Sequence, residues 1–483
     1  MASYDFDIGV LGGGSAGLTV AAGSAQLGAK TLLIDKDGRL GGDCLHFGCI
    51  PSKTLIRTAH VYHLMKRATD FGLPDVELKP IEFKDVSCRI KSVISKIQKH
   101  DSVERFCGLG ARVEFGEPAF IDEHSVRLSG QTYSAKNWVI ATGSSPLIPQ
   151  VKGLDATPYL TNREIFYLER LPSSLIIFGG GPIGIEMAQA FNRLGTQVVV
   201  IQRSGQILPK EDGDMAVQVM DVLKTEGVRF YLNTSIVSAR DLGREREVVI
   251  RTGEGTTVTL KAETILVATG RKPNIEGLGL DKIGVAFDDK GIKVDERMRT
   301  AQTHIYAAGD VNGGYLFTHA AGYEAGIVVT NAIFHLPRKA DYTFLPWCTY
   351  TDPELASIGM NETAAKKAGI AYSLWTEEFR ANDRSLAEAE ETGKIKMILN
   401  EKEMPIGVQI FGPRAGELVC EWVAALNGGV KLSRLLSAVH PYPTIGEINK
   451  KVAANFFSQK IFSDKVKKGL KFFFNLRGRA CRA

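Results

Sequence analysis

Cys44 and Cys49 stand five residues apart in the run Gly41-Gly42-Asp43-Cys44-Leu45-His46-Phe47-Gly48-Cys49-Ile50-Pro51-Ser52-Lys53. Two neighbouring thiols either hold an electron pair as a disulfide or pack as small hydrophobic groups. On a regular helix, with about 1.5 Å rise and 3.6 residues per turn, this spacing puts them on different faces. A disulfide needs Cα atoms within about 7 Å, so a bridge here requires a bend, which Gly48 permits. The chain has 7 Cys, an odd number that argues against a structural disulfide framework. Cys88, Cys107, Cys348 and Cys420 have no metal-ligand spacing and read as core residues.

Two glycine loops flank the next piece of chemistry. Phe6–Leu11 reads as a buried strand, followed by Gly12-Gly13-Gly14-Ser15-Ala16-Gly17, an Ala-rich helix, and a strand ending at Asp35. The first glycine allows the turn, the second lets a pyrophosphate approach the backbone, and the third lets helix pack on strand. Free N–H groups and the dipole at the helix start stabilise the phosphates. Asp35 suits an adenosine ribose. The unit recurs: Leu175–Phe178, then Gly179-Gly180-Gly181-Pro182-Ile183-Gly184, then Val198–Ile201. From first glycine to strand end is 23 residues in both copies, but the second ends on Gln202-Arg203. A neutral amide and a guanidinium accommodate a 2′-phosphate that a carboxylate would repel, so the second site leans to NADPH. One resident and one diffusing dinucleotide, exchanging electrons, is the reading.

These loops require parallel strands whose carboxyl ends carry them. Trp138–Gly143 and Thr264–Gly270 both close on Ala-Thr-Gly, and His304–Ala308 ends in Gly309-Asp310. Val86, Ile90, Val93, Ile94 and Ile97 recur at helical spacing and read as core. With 483 residues, 44% hydrophobic and 23% charged, the chain is neither disordered nor fibrous and has room for about three domains. No run approaches the ~20 apolar residues of a membrane span. Met1-Ala2-Ser3-Tyr4-Asp5 carries no basic segment before an apolar one, so a cytoplasmic location is expected. The net charge of +5 is uneven: residues 451–483 hold nine Lys/Arg and one acid, Asp464. The body is therefore no nucleic-acid binder.

Taken in order, these motifs resemble the flavin-dependent pyridine nucleotide–disulfide oxidoreductases, the group containing dihydrolipoamide dehydrogenase, glutathione reductase and mercuric reductase. The resemblance implies an α/β fold of two Rossmann-like dinucleotide-binding domains in three layers plus a C-terminal α+β interface domain, as in glutathione reductase. It implies FAD binding by 1–150 and 276–340, NAD(P) binding by 151–275, and an interface domain with a basic tail at 341–483. FAD would touch Gly12, Gly14, Ser15, Ala16, Gly17, Asp35, Lys36, Gly42, Lys53, Thr142, Gly143, Asp310, Phe317 and Thr318. NADPH or NADH would touch Gly179, Gly181, Ile183, Gly184, Glu186, Gln202, Arg203 and Gly270. By the family pattern Cys49 is the thiol beside the flavin, Cys44 the interchange thiol that meets substrate, and Lys53 pairs with Glu186. Hydride from NAD(P)H would pass through FAD to a Cys44–Cys49 disulfide and on to substrate. Asp43 departs from the pattern, since many members carry a hydroxyl residue there.

The substrate is written in the C-terminal stretch His440-Pro441-Tyr442-Pro443-Thr444-Ile445-Gly446-Glu447. In lipoamide dehydrogenases and glutathione reductases a His precedes Pro-Thr and protonates the leaving thiolate, with a Glu to orient it. Aligning Pro443-Thr444 and Glu447 puts Tyr442 in the His slot, as in mercuric reductases. His440, two residues earlier, is either a displaced base or a structural histidine. The mercuric branch's C-terminal cysteine pair is missing, with Cys481 standing alone. The expected enzyme is therefore a homodimer with a shared site that reduces a disulfide or thiol-bound metal, and no resident metal site is expected. One rival is a dihydrolipoamide dehydrogenase working with NAD on a protein-bound dithiol. Another is an electron-transfer flavoprotein acting on quinones, docked through its tail. In that tail, Phe457, Ile461, Phe462, Val466, Leu470 and Phe473 interleave with lysines, which suits a membrane or partner surface. The favoured expectation there is a terminal helix packed on the interface domain.

Overall fold

The computed structural model describes residues 3–478 and 480. Cys481 lies outside the described residues. The chain divides into two compact units: residues 1–67, 75–207 and 223–341 form the first, and residues 68–74, 208–222 and 342–483 the second.

The first unit holds both repeats as parallel sheets. One runs Ala111–Phe115, Thr31–Asp35, Phe6–Leu11, Gln131–Ile140 and Ile305–Ala307. Its register sets Leu11 beside Ile34 and Ile140, so the loops after these strands emerge at one edge. The other runs Arg229–Tyr231, Gln197–Ile201, Ser174–Phe178 and Thr264–Val267, all parallel. Fully buried Val/Ile/Leu strands are what a parallel sheet covered on both faces requires. On one face of the first sheet, Val20 and Ala21 of helix Ser15–Gln26 share a core with Ala325 and Val328 of helix Thr318–Ala332. On the other, Trp138 packs with Phe120 and Val126 of an antiparallel meander. A Cβ on Gly9 would fall 2.2 Å from the Trp138 ring, so that glycine is the clearance for the indole.

Helix Phe83–Gln98 buries Val86, Ile90 and Ile94 as its spacing predicts, while Val93 and Ile97 are only half-buried at the edge of that stripe. The core expectation for the spare cysteines is corrected: Cys88, Cys107 and Cys420 are exposed, and Cys348 is half-buried. Cys88 sits on the far side of the stripe carrying Val86 and Ile90, Phe106 takes the buried place next to Cys107, and Val419 and Trp422 take those around Cys420.

In the second unit, an antiparallel sheet runs Pro346–Thr349, Glu354–Gly359, Pro405–Gly412, Lys394–Asn400, Tyr372–Glu378. Helices Ala415–Asn427 and Glu447–Ile461 contribute Trp422, Val452 and Phe456 to its core. The tail expectation is also corrected. The helical pattern breaks at Phe462-Ser463, and the helix beyond, Asp464–Phe474, has no buried residue. Val466, Leu470, Phe472, Phe473 and Phe474 stay exposed there among four lysines.

Candidate active site

Both glycine loops solve the same steric problem. Gly12 (φ +111°) and Gly179 (φ +108°) turn in the left-handed region. A Cβ there would sit 2.2 Å from Ala141 O or 2.4 Å from Ala268 O. A Cβ on Gly17 or Gly184 would meet Gly12 O at 1.7 Å or Gly179 O at 2.1 Å. The middle glycines differ. Around Gly14 only Gly42 Cα comes within 4 Å, at 3.8 Å, and around Gly181 nothing does. Each faces open space at the start of a helix with no acid in its first turn, which fits a pyrophosphate. Ser15 and buried Ala16 open the first helix, and Ser15 Oγ donates to Thr318 O at 3.2 Å. Exposed Ile183 opens the second.

At the strand ends, Asp35 is buried, and burial pushes its pKa up. Its Oδ2 accepts Gly13 N–H at 2.6 Å and its Oδ1 accepts Asp37 N–H at 2.8 Å. Gln202 braces the second loop the same way: its Oε1 accepts Gly180 N–H at 2.9 Å while its Nε2 donates to Ser204 Oγ at 2.6 Å. The amide thus replaces the acid's loop-holding bond without its charge. Arg203 stands exposed beside it, as Lys36 does beside Asp35.

The cysteines lie on consecutive helices, Cys44 in Gly42–His46 and Cys49 at the first position of Cys49–Lys66. Phe47-Gly48 makes the bend, and a Cβ on Gly48 would come 3.0 Å from Asp43 O and 3.2 Å from Cys44 Cα. Gly41 N–H donates to Gly13 O at 2.8 Å, and a Cβ on Gly42 would press to 2.6 Å from Gly14 Cα. The cysteine segment is therefore seated against the first glycine loop. Both cysteines are free thiols. A hydrogen bond from Cys44 brings the Cys49 thiol well below its ordinary range, to about 6, and Thr318 and Lys53 add to the effect. Thr318 Oγ1 lies 3.3 Å from Cys49 Sγ. The same bond, with burial, pushes Cys44 up. The opposite directions of the two shifts favour negative charge on Cys49 over Cys44. Lys53, one turn along from Cys49, donates to buried Glu186 at 2.8 Å, which joins the cysteine helix to the helix of the second glycine loop.

Asp310 follows the strand Ile305–Ala307, and burial pushes its carboxyl up. Ser144 Oγ donates to it. Arg271 joins it to the redox segment: Nε donates to Ser144 Oγ at 2.7 Å, and a terminal nitrogen pairs with Asp43 at 2.9 Å. The unusual Asp43 thus has a partner 228 positions away in the chain, and Asn162 donates to it as well. Thr142 Oγ1 donates to Asn274 O at 2.7 Å, and Gly143 (φ +70°) and Gly270 (φ +137°) flank the ladder that pairs Ser144–Pro146 with Arg271–Pro273. Phe317 precedes the helix of Thr318 and stacks on His319 with ring centroids 5.3 Å apart.

Within the second unit, the stretch 440–447 separates two roles. His440 is tied inward: Nε2 lies 2.9 Å from Glu421 Oε1, the other Glu421 oxygen accepts from Asn449 at 2.8 Å, and Asn449 accepts from the buried Trp422 indole. Tyr442 is 71% exposed and donates to Asp383 Oδ2 at 2.9 Å, a bond that raises the phenol pKa. Its partner is Asp383 rather than Glu447, which opens helix Glu447–Ile461. Neither Asp383 nor Arg271 carries a motif that would have flagged it.

Residues 6–325 match the family described as pyridine nucleotide-disulphide oxidoreductase, and residues 345–453 match its dimerisation domain. The chain is 37% identical to a dihydrolipoyl dehydrogenase of Geobacillus stearothermophilus, covering 92% of this chain and 94% of that protein. It is 31% identical to a mercuric reductase of Staphylococcus aureus, covering 94% and 82%. Its fold is similar to the HOCl-induced flavoprotein disulfide reductase RclA from Escherichia coli, with TM-score 0.83 and 25% identity over 93% of this chain and 99% of that one.

Proposed function

The chain belongs to the pyridine nucleotide–disulphide oxidoreductases, enzymes that use FAD and NAD(P)H, and we propose that Cys44 and Cys49 are its redox couple. In this reading Gly12, Gly14, Gly17, Asp35 and Asp310 hold FAD, and Gly179, Gly181, Gly184 and Arg203 hold the nicotinamide dinucleotide. The FAD-binding parts are residues 1–150 and 276–340, the NAD(P)-binding domain 151–275, and the interface domain 341–483. Bound FAD supplies two-electron exchange between nicotinamide and sulfur.

The chain's own residues do the rest. Lys53 and Thr318 hold negative charge on Cys49. Cys44 attacks one sulfur of a substrate disulfide, forming a mixed disulfide and releasing a thiolate that takes up the Cys44 proton. Cys49 thiolate then attacks the Cys44 sulfur, which closes the Cys44–Cys49 disulfide and releases the second thiolate. The dimerisation-domain match supports a homodimer. The proton for the second leaving thiolate comes from Tyr442 of the partner subunit, which regains it from water, with His440 holding its own loop in place.

The observation that carries this reading is the paired thiols, with Cys49 lowered to about 6 beside Thr318 and Lys53. Anaerobic titration of the yellow holoenzyme with NADPH tests it. Two electrons should produce a long-wavelength thiolate band, and Cys44→Ser should show that band before any reductant while losing disulfide turnover. A colourless protein, or no band, ends the reading. A thiol-bound metal is the alternative cargo, supported by Tyr442 and the mercuric reductase likeness. Dihydrolipoamide oxidation with NAD is a second reading, favoured by the 37% identity to a dihydrolipoyl dehydrogenase. A panel of lipoamide, glutathione disulfide, mercuric ion and quinones separates these.

A further inference from the structure

Past residue 453, where the dimerisation-domain match ends, the chain builds one more helix. Ser463 caps it by accepting from Val466 N–H, and Asn475 (φ +51°) ends it. At 3.6 residues per turn, Val466, Leu470, Phe473 and Phe474 of Asp464–Phe474 share one side, Lys467 borders it with Lys471 and Lys468 beyond, and Phe472 lies beside Lys465 on the other flank. Its aromatic end faces solvent: Phe472 is 83%, Phe473 77% and Phe474 70% exposed. Ile461 and Phe462 before it, and Leu476 after it, are exposed as well.

A single occupant must take phenyl rings and ammonium groups at once. Two copies packed face to face would oppose cationic edges, and an apolar protein groove would leave the lysines unmatched. An anionic bilayer surface supplies both halves, acyl boundary for the rings and headgroup phosphates for the lysines. No described helix is long and apolar enough to cross a membrane, so the contact is peripheral. We propose that residues 461–477 dock this protein on an anionic lipid surface, with the Asp464–Phe474 helix lying in the headgroup plane.

The test is co-sedimentation of the FAD-loaded enzyme with phosphatidylcholine vesicles, with and without phosphatidylglycerol. The anionic vesicles should retain about ten-fold more protein at low ionic strength, and high salt should release most of it. Replacing Phe472, Phe473 and Phe474 together by Ser, or Lys465, Lys467, Lys468 and Lys471 together by Gln, should abolish retention. Flavin absorbance and disulfide turnover should stay at parent values in both variants. Equal retention on neutral and anionic vesicles, or none on either, overturns the proposal. So does a tail variant that converts dimer to monomer, since the helix would then be an interface between copies.

Discussion

Lys53 and Glu186, 133 positions apart in sequence, meet at 2.8 Å and act on the same sulfur with opposite sign. The lysine's charge lowers the Cys49 thiol and the glutamate's raises it, both behind the larger effect of the Cys44 hydrogen bond. Removing either partner should therefore move the titration in a chosen direction. Lys53→Met should raise the midpoint of the Cys49 thiolate band from about 6 by about one pH unit. Glu186→Gln should move it lower. The band is lost as pH falls through the midpoint, so the two variants should bracket the parent in a spectroscopic pH titration. Shifts of the same sign would show that the pair does not act on Cys49 through charge.

What was legible in the sequence was local. The glycine loops and the cysteine pair each declare themselves within about a dozen residues, because the geometry they serve is a strand–turn–helix or a single bend. Residues joined only by folding were not visible. Asp43 is an oddity in the sequence because its partner Arg271 reaches it only through folding, and Tyr442 shares a stretch with Glu447 whereas folding brings it Asp383. The spare cysteines failed for a related reason: average burial of a residue type says nothing about which side of a helix it occupies.

The two kinds of glycine in the first loop predict two kinds of failure. Gly17→Ala places a methyl 1.7 Å from Gly12 O, backbone that cannot yield, and should give unstable or insoluble protein. Gly14→Ala meets only Gly42 Cα at 3.8 Å, so the chain should fold but emerge pale, with a reduced ratio of flavin to protein absorbance. Gly181→Ala should stay yellow and raise the KM for NADPH by about ten-fold. A fully yellow Gly14→Ala would place the dinucleotide elsewhere.

Lys396 anchors the second unit. Its ammonium is fully buried, 2.7 Å from Asp212, 2.8 Å from Asp214 and 3.0 Å from Glu362. Burial works against all three carboxylates, yet hydrogen bonds, led by Lys396 at Asp212 and Glu362 and by Lys394 at Asp214, hold them below the usual range. Such stability is present above the unfolded carboxylate pKa of about 4 and is lost as pH falls through the lower folded values. Lys396→Met should cost about 3–5 kcal/mol at neutral pH by leaving buried Asp212 without its lysine, while Asp214 keeps Lys394. It should also invert the trend, with the variant regaining stability on acidification toward about pH 4 as those acids take up protons. Denaturant unfolding of parent and variant across that range reads out both signs.

The Tyr442–Asp383 pair makes the sharpest claim about chemistry. A phenol that is to protonate a leaving thiolate must hold its proton until substrate arrives, which the bond to Asp383 favours, and must then turn that proton from Asp383 to the sulfur. Tyr442→Phe should therefore cut disulfide turnover by about ten- to a hundred-fold while flavin reduction by NADPH proceeds at the parent rate. Asp383→Asn keeps a polar partner but removes the charge that raises the phenol, so the alkaline limb of activity, where the acid form is lost, should move to lower pH. In the double variant the alkaline limb should be missing altogether, because the titrating group is gone. His440→Gln, by loosening the tie to Glu421, should lower thermal stability and turnover together without moving that limb. An alkaline limb that follows His440 instead would transfer the acid's role to the imidazole and leave Tyr442 as a surface phenol.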